Sequence, residues 1–368
     1  MKKLGLVSTF NTECGISTYS EHLAEYFKRG SVQVFANHLI TSSDTGSCDL
    51  HPIKRCWERT GDFKELEEAI LASDVDVVHI QHEFGLFQNH ESFLRLLWAL
   101  KDKNIKIYIT LHTVFTEDIH NQKIRDYAKI CTKIIVHCEP ARKLLNLEDK
   151  CVIIPHGSVI VTPKPKAEAR KHLNIDPDCF LALTFGFITP TKGALDNISA
   201  VIDLKPEFPD LQLLVVGMPM VYGKNYANLE YTLSLYRWLR RKNAWDTVDI
   251  RMKYVPEWEF DYYAGAADIA IENYYQTHYS TSGMSHLVMS YGLPSVSSRA
   301  NILLDLNEER SVKFNINDLE GMKDGIFKLI TNPELREQLS KNCLKYTEEV
   351  SWPNIAKRHL RMYEGEEV

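Results

Sequence analysis

The eight cysteines include no Cys-x-x-Cys pair, which removes the usual spacing of a zinc ribbon or a dithiol redox centre. Cys131, Cys138, Cys151 and Cys179 lie in strand-like apolar surroundings, where a free thiol behaves as a small hydrophobe. The pattern implies reduced thiols and a cytoplasmic protein. No apolar run approaches the roughly 18 residues needed to cross a bilayer, so contact with a membrane would be peripheral. Lys2 and Lys3 precede a short apolar run that turns polar at Ser8-Thr9, which reads as a first strand and not as a signal peptide. The net charge of −6 gives no overall basic surface, which argues against a general nucleic-acid binder while allowing a local basic cleft. Short-period repeats and low-complexity segments are also absent.

What the sequence does contain is a strand-helix alternation over 368 residues, with 44% hydrophobic and 25% charged residues. That length exceeds one ordinary core and predicts two domains. Strand-like runs fall at 32–36, 75–80, 105–111, 133–137 and 151–155, with helices expected at 17–27, 63–72, 91–100, 119–129 and 140–145. Thr162-Pro163-Lys164-Pro165-Lys166 suits neither element and reads as a linker. The alternation then restarts, with strands at 180–187, 211–216, 248–253, 268–271 and 295–297. Helices follow at 192–202, 229–241, 257–266, 283–291 and 319–330. A helical tail from Pro333 breaks near Trp352-Pro353. The expected class is α/β, with two Rossmann-like doubly wound domains facing a cleft. The boundaries read as 1–162, 163–350, and a helix at 351–368 returning to the first domain.

Each half carries a turn suited to an anion. The first follows the strand at Leu4-Gly5-Leu6-Val7-Ser8 and runs through Cys14-Gly15-Ile16-Ser17. The second follows 180–187 and runs through Gly186-Phe187-Ile188-Thr189-Pro190-Thr191-Lys192-Gly193, with Lys192 opening a helix. A helix N-terminus presents free N–H groups and the positive end of its dipole. A third small-residue turn, Tyr279-Ser280-Thr281-Ser282-Gly283-Met284, offers amides of Ser282, Gly283 and Met284 as an anion nest. Two facing units of this kind suggest a diphosphate-bearing ligand. The plain alternatives are an ordinary strand-to-helix turn at Gly15 and a solvated surface lysine at Lys192.

The histidines at strand ends are the other candidates. His79, His82 and Glu83 invite a metal reading, but strand alternation points His79 and His82 to opposite faces, so no metal site is expected. His112, in Leu111-His112-Thr113, is the better ligand contact; its structural alternative is a hydrogen-bonded core histidine.

Taken in order, these pieces resemble the retaining GT-B glycosyltransferases of the group that includes sucrose synthases and phosphatidylinositol mannosyltransferases (glycosyl transferases group 1). The matching segments are Cys14-Gly15-Ile16-Ser17-Thr18-Tyr19, Val77-Val78-His79-Ile80-Gln81-His82-Glu83, Thr110-Leu111-His112-Thr113, Ile154-Pro155-His156-Gly157, and Gly186-Phe187-Ile188 with Lys192-Gly193. Tyr254-Val255-Pro256-Glu257, Ser282-Gly283-Met284 and Gly292-Leu293-Pro294 continue the series. The resemblance covers nearly the whole chain. It implies that Cys14, Gly15 and Ile16 approach the donor, and that His112 contacts the transferred sugar. Gly186 and Lys192 would lie at the diphosphate, Val255 and Pro256 would flank the base, and Tyr279, Ser282, Gly283 and Met284 would complete the donor site. His112 and Lys192 are then the catalytic pair. The chain departs from the family at two places. Its paired glutamates are replaced by Tyr279 and Leu287, and the arginine that often accompanies the lysine by Phe187. Glu272, His278 and His286 are nearby polar substitutes.

The resemblance implies transfer of a sugar from a nucleoside-diphosphate sugar to an acceptor hydroxyl, with retention, no metal and no cofactor beyond the donor itself. The leaving diphosphate would help deprotonate the acceptor, and the protein would position and stabilise charge. A glycan or lipid-linked sugar is the expected acceptor, with modified DNA bases as the alternative. A non-catalytic nucleotide-sugar binding protein and a nucleotide-sugar epimerase are the rival readings; the epimerase would need carboxylates at the anomeric carbon. The aromatic and basic stretch 222–242, including Lys224, Tyr231, Trp238, Arg240 and Arg241, suits nucleic acid or anionic lipid, or else is a solvated helix face.

Overall fold

A computed structural model describes residues 3–38, 50–219 and 226–367 of the chain. Part of the basic stretch, including Tyr222 and Lys224, falls outside the described residues. The chain divides into two compact units. The first comprises residues 1–157, 278–283 and 350–368, and the second residues 158–277 and 284–349.

The first unit alternates β1 (Leu4–Ser8), α1 (Gly15–Glu25), β2 (Val32–Asn37), β3 (Ile53–Trp57), α2 (Lys64–Leu71), β4 (Val77–His82), α3 (His90–Asp102), β5 (Lys106–Leu111), α4 (Asp118–Ala128), β6 (Lys133–Val136), α5 (Glu139–Leu145) and β7 (Cys151–Ile153). Its seven strands lie in the order β3-β2-β1-β4-β5-β6-β7, all parallel. The central strands β1 and β4 are buried along their whole length. A parallel strand covered on both faces is expected to be apolar; β1 is nearly so, whereas β4 buries His79, Gln81 and His82 among its apolar residues. The order reverses between β1 and β4, so the crevice beyond their carboxyl ends is the natural ligand position.

The second unit contains α6 (Lys166–Leu173), β8 (Phe180–Phe185), α7 (Ala194–Leu204), β9 (Leu211–Gly217), α8 (Ala227–Lys242), β10 (Val248–Met252), α9 (Glu257–Ala266), β11 (Ile269–Glu272), α10 (Gly283–Ser290), β12 (Ser295–Ser298), β13 (Ser311–Phe314), α11 (Leu319–Thr331) and α12 (Pro333–Glu349). Its six parallel strands run β10-β9-β8-β11-β12-β13, with the reversal between β8 and β11. α13 (Trp352–Glu364) belongs to the first unit. Pro353 stands in its first turn, where a missing N–H costs nothing. Its buried face carries Trp352, Ile355, Ala356, His359, Met362 and Tyr363, the spacing of one helical stripe.

Candidate functional site

The first unit builds its crevice on the β1–α1 turn. Asn11 adopts a left-handed conformation, φ 50°, which asparagine tolerates. Its N–H donates to Glu21 Oε1 at 2.8 Å, and Ser17 Oγ receives Thr12 N–H at 3.1 Å. Cys14 caps α1 from an extended conformation, and Gly15 and Ile16 form its first turn. A Cβ built on Gly15 meets no atom within 4 Å. Nothing in the protein itself therefore demands glycine there, and the space in front of the helix start is open.

His112 follows β5 and is partly buried. Its Nε2–H donates to Gln81 Oε1 at 2.9 Å. The amide nitrogen of Gln81 faces His79 Nε2 at 3.4 Å, His79 also bonds Thr110 at 2.8 Å, and the Tyr363 hydroxyl reaches His79 Nδ1 at 2.6 Å. Burial, together with His137 and His82, holds the His112 imidazole neutral by driving its pKa well below the usual value. A neutral ring that donates through Nε2 keeps Nδ1 as an acceptor. Ser280 donates to the carbonyl of His112 at 2.6 Å. Tyr279 pairs with Val114 by two backbone bonds of 2.8 Å and packs against the first unit's core. Ser282 is buried, and Gly283 lies 3.6 Å (at its Cβ position) from His156 Nε2. Tyr19 binds this group together: its ring is 4.9 Å from His112, 5.1 Å from His156 and 4.9 Å from Trp352.

His79 and His82 do face opposite sides of β4. His79 meets α13, whereas His82 stacks on Phe87 at 5.5 Å with neither ring nitrogen hydrogen-bonded. Among the described residues no three His, Cys, Asp or Glu side chains gather as a metal-ligand set.

In the second unit the turn after β8 is forced by two glycines. Gly186 has φ 111°, a conformation that L side chains avoid. A Cβ on Gly217 would overlap the carbonyl oxygen of Gly186. Lys192 does not open the α-helix, as the sequence suggests. It ends a 3-10 turn at Pro190–Lys192, and Gly193, left-handed at φ 57°, separates that turn from α7. The correction has a local cause: a Cβ on Gly193 would overlap the side chain of Asn273, so the chain must kink tightly there before α7 can begin. Lys192 Nζ sits 5.0 Å above the Tyr274 ring and borders a recess lined by Gly186, Phe187, Glu272 and Tyr274. Burial lowers the Lys192 pKa and Glu272 opposes that shift. Met284 Cγ approaches the Gly186 position to 3.3 Å. Pro256 caps α9, and Val255 packs against the core beside it.

The first unit brings the 279–283 turn beside His112, Val114 and His156, while Cys14, Gly15 and Ile16 stand at the start of α1. The second gathers Gly186, Lys192 and Met284, with Val255 and Pro256 at the α9 start. Leu287 packs into the second unit's core. His286 is fully committed: its Nδ1 bonds Ser158 at 2.7 Å and its Nε2 bonds Asp305 at 3.1 Å. His278 lies beside Phe115, 5.6 Å between rings. Sequence reasoning missed Gln81, Tyr363 and Ser285 as supporting residues. The sequence signal for Gln81 was its place between His79 and His82 in the buried strand β4.

Residues 165–346 match the family described as Glycosyl transferases group 1, a stretch that lies almost wholly in the second unit. Solved structures show the same GT-B fold. HepE of Anabaena in complex with UDP superposes with a TM-score of 0.80 at 12% identity, covering 99% of this chain and 100% of that one. Its complex with UDP-glucose gives 0.78 at 13%, over 99% and 100%. Sucrose-phosphate synthase of Thermosynechococcus elongatus gives 0.77 at 17%, over 99% of each chain. No curated protein matches the chain by sequence. Among the described residues no helix is long and apolar enough to cross a membrane.

Proposed function

We propose, from the match of residues 165–346 to the group 1 glycosyltransferase family, that the protein transfers a sugar from a nucleoside-diphosphate sugar to an acceptor hydroxyl with retention. The observation that carries this reading is Lys192. It is a partly buried ammonium at the β8–β11 reversal, beside a glycine turn that admits backbone close to a ligand, with Glu272 as its one charged neighbour among the described residues. Desolvating a cation is costly unless opposite charge compensates it, and a diphosphate adds such charge to that of Glu272. The UDP and UDP-glucose complexes of HepE support the same ligand class.

In this reaction the bond between the anomeric carbon and the diphosphate oxygen breaks, and a bond to the acceptor oxygen forms on the same face. The acceptor proton passes to the departing diphosphate oxygen. Lys192 offsets the charge that develops on that oxygen, and the amides at Ser282, Gly283 and Met284 add to the field. No metal is required by this arrangement, since the cation is a side chain. His112, neutral and held through Nε2, offers Nδ1 as an acceptor to a sugar hydroxyl. The acceptor we propose is a glycan or a lipid-linked saccharide, and the site of action is the cytoplasm, with peripheral contact at the membrane for the lipid-linked case.

A non-catalytic binding protein is the second reading, favoured by Tyr279 and Leu287, which place no carboxylate where the family has two. The test is UDP release from UDP-glucose by purified protein, with EDTA present, against glycans, lipid-linked saccharides and DNA bearing hydroxylated bases. Acceptor-dependent release supports transfer. UDP binding without release under any of these conditions supports the second reading, and absence of nucleotide binding overturns both.

A further inference from the structure

The recess of the second unit contains a carboxylate that the reaction above does not itself use. Glu272 ends β11 and is only 3% exposed. Ser285 on α10 donates its hydroxyl to Oε2 at 2.9 Å, and Tyr274 is a second side-chain hydrogen-bond partner. Two cations act on it, Lys192 and Lys313. Lys313 on β13 is already engaged, with Nζ donating to Ser297 Oγ at 3.0 Å and to the Ser298 carbonyl at 2.6 Å. Glu308 and Arg299 also act on Lys313. Lys192 has no such engagement. Glu272 is the one charged group acting on it among the described residues.

Exposure decides between two roles for Glu272. The carboxylate is 3% exposed and its Oε2 already accepts from Ser285, and the space enclosed beside it is about 10 Å³, room for roughly one water molecule. A sugar therefore does not reach Glu272, whereas Lys192, partly exposed on the border of the recess, is open to a ligand outside it. What remains for Glu272 is an action through Lys192. The apolar Phe187 lines the same recess. An arginine would keep its charge there regardless, but a lysine sheds its proton readily when desolvated. An opposite charge at about 4–6 Å typically restores one to three units of that loss.

We propose that Glu272 is a positioning residue for Lys192: its carboxylate, held by Ser285 and Tyr274, keeps the ammonium protonated on the border of the recess, where it can meet a diphosphate outside. This rests on the reading of Lys192 as the diphosphate contact. Ser285 donates to Glu272, Tyr274 shares a hydrogen bond with it, and Lys192 and Lys313 are cations, so these neighbours favour the ionised carboxylate. Burial pulls the other way and raises its pKa, so the two groups titrate as a pair.

The experiment is a side-chain NMR titration of lysine labelled with carbon-13 at Cε, with Lys192 assigned by Lys192→Arg. Glu272→Gln keeps an acceptor for Ser285 and removes the charge. It should lower the Lys192 midpoint by about one unit or more, and Glu272→Asp should restore most of it. An unchanged midpoint in a Glu272→Gln protein with normal thermal denaturation overturns the proposal. Calorimetric titration with UDP between pH 7 and 10 supplies the second readout. The alkaline loss of affinity should move down by the same interval, so that for a one-unit shift the variant binds about twofold more weakly at its own midpoint and approaches about tenfold more weakly above both midpoints. UDP binding with an identical pH profile in wild type and variant also overturns it, while leaving the glycosyltransferase reading intact. A shifted midpoint in a protein that binds no UDP establishes the Glu272–Lys192 pair and overturns the glycosyltransferase reading instead.

Discussion

The two units share a doubly wound sheet and differ in what they place at its reversal point. The first unit presents neutral rings. His112 is neutral and bonded to Gln81, and Tyr19 packs edge to face on it and in turn on His156 and Trp352. The second presents charge, with Lys192 and Glu272 bordering one small recess. Their glycines differ in the same sense. Gly15 has open space around it, whereas Gly186, Gly193 and Gly217 are demanded by neighbouring atoms or by φ. In the proposed reaction the first scaffold would supply neutral hydrogen-bonding groups and the second a cation for the developing charge on the diphosphate.

Removing the charged anchor should have the largest effect. Lys192→Ala should reduce transfer by about 10²–10³-fold and weaken UDP binding while leaving the far-UV dichroism and the melting temperature unchanged. Equal kinetics in the two proteins would dissolve the contrast between the units.

Backbone demand comes next. Gly217→Ala forces a methyl into the Gly186 carbonyl, which must displace main chain and should cost about 3 kcal/mol, read from urea unfolding. If the variant is as stable as wild type, the turn after β8 is not the rigid element described here.

The neutral unit should be the acid-labile one. Burial depresses His359 to about 4 and His82 to about 3. The unfolded chain takes up these protons below about pH 6.5, whereas the folded chain resists until the lower values. Their contribution is therefore complete above pH 6.5 and is lost as pH falls toward 4 and below, on the order of 3 kcal/mol for each fully buried ring. His82 has no hydrogen bond and stacks on Phe87, so His82→Phe should flatten the fall of melting temperature between pH 6.5 and 4. A slope equal to that of wild type would assign acid lability elsewhere.

The smallest effect sharpens the contrast most. Gly15→Ala should leave stability unchanged or raise it by about 0.5–1 kcal/mol, since alanine favours a helix and meets no atom. Any accompanying loss of donor affinity then reports the ligand's own approach to α1. A destabilised protein would show that this turn is as constrained as its counterpart.

The sequence made the central strands legible because strands covered on both faces read as apolar runs. β4, β5 and β8 were expected within one or two residues of where they lie. β3 was not, because it lies at the sheet edge and carries Lys54 and Arg55 in its middle. β13, at the other sheet's edge with Lys313, escaped for the same reason. The break at Trp352-Pro353 was readable from proline's place in a first helical turn. The Gln81–His79–Tyr363 network was not, since it joins residues 284 positions apart and no local pattern encodes such a pairing. Ser285 and Glu272 likewise meet only because β11 and α10 are packed together.

The bond between Tyr363 and His79 also has a meaning in time. The seven strands of the first sheet are complete by Ile153, long before α13 has been made. A ribosome adding about 5–20 residues per second needs roughly 10–40 seconds to travel from that point to Tyr363. Through that interval neither Trp352 nor Tyr363 is present, and His79 lacks its Tyr363 partner. A nascent chain therefore cannot complete the Gln81–His79–Tyr363 network until Lys192 has already been synthesised.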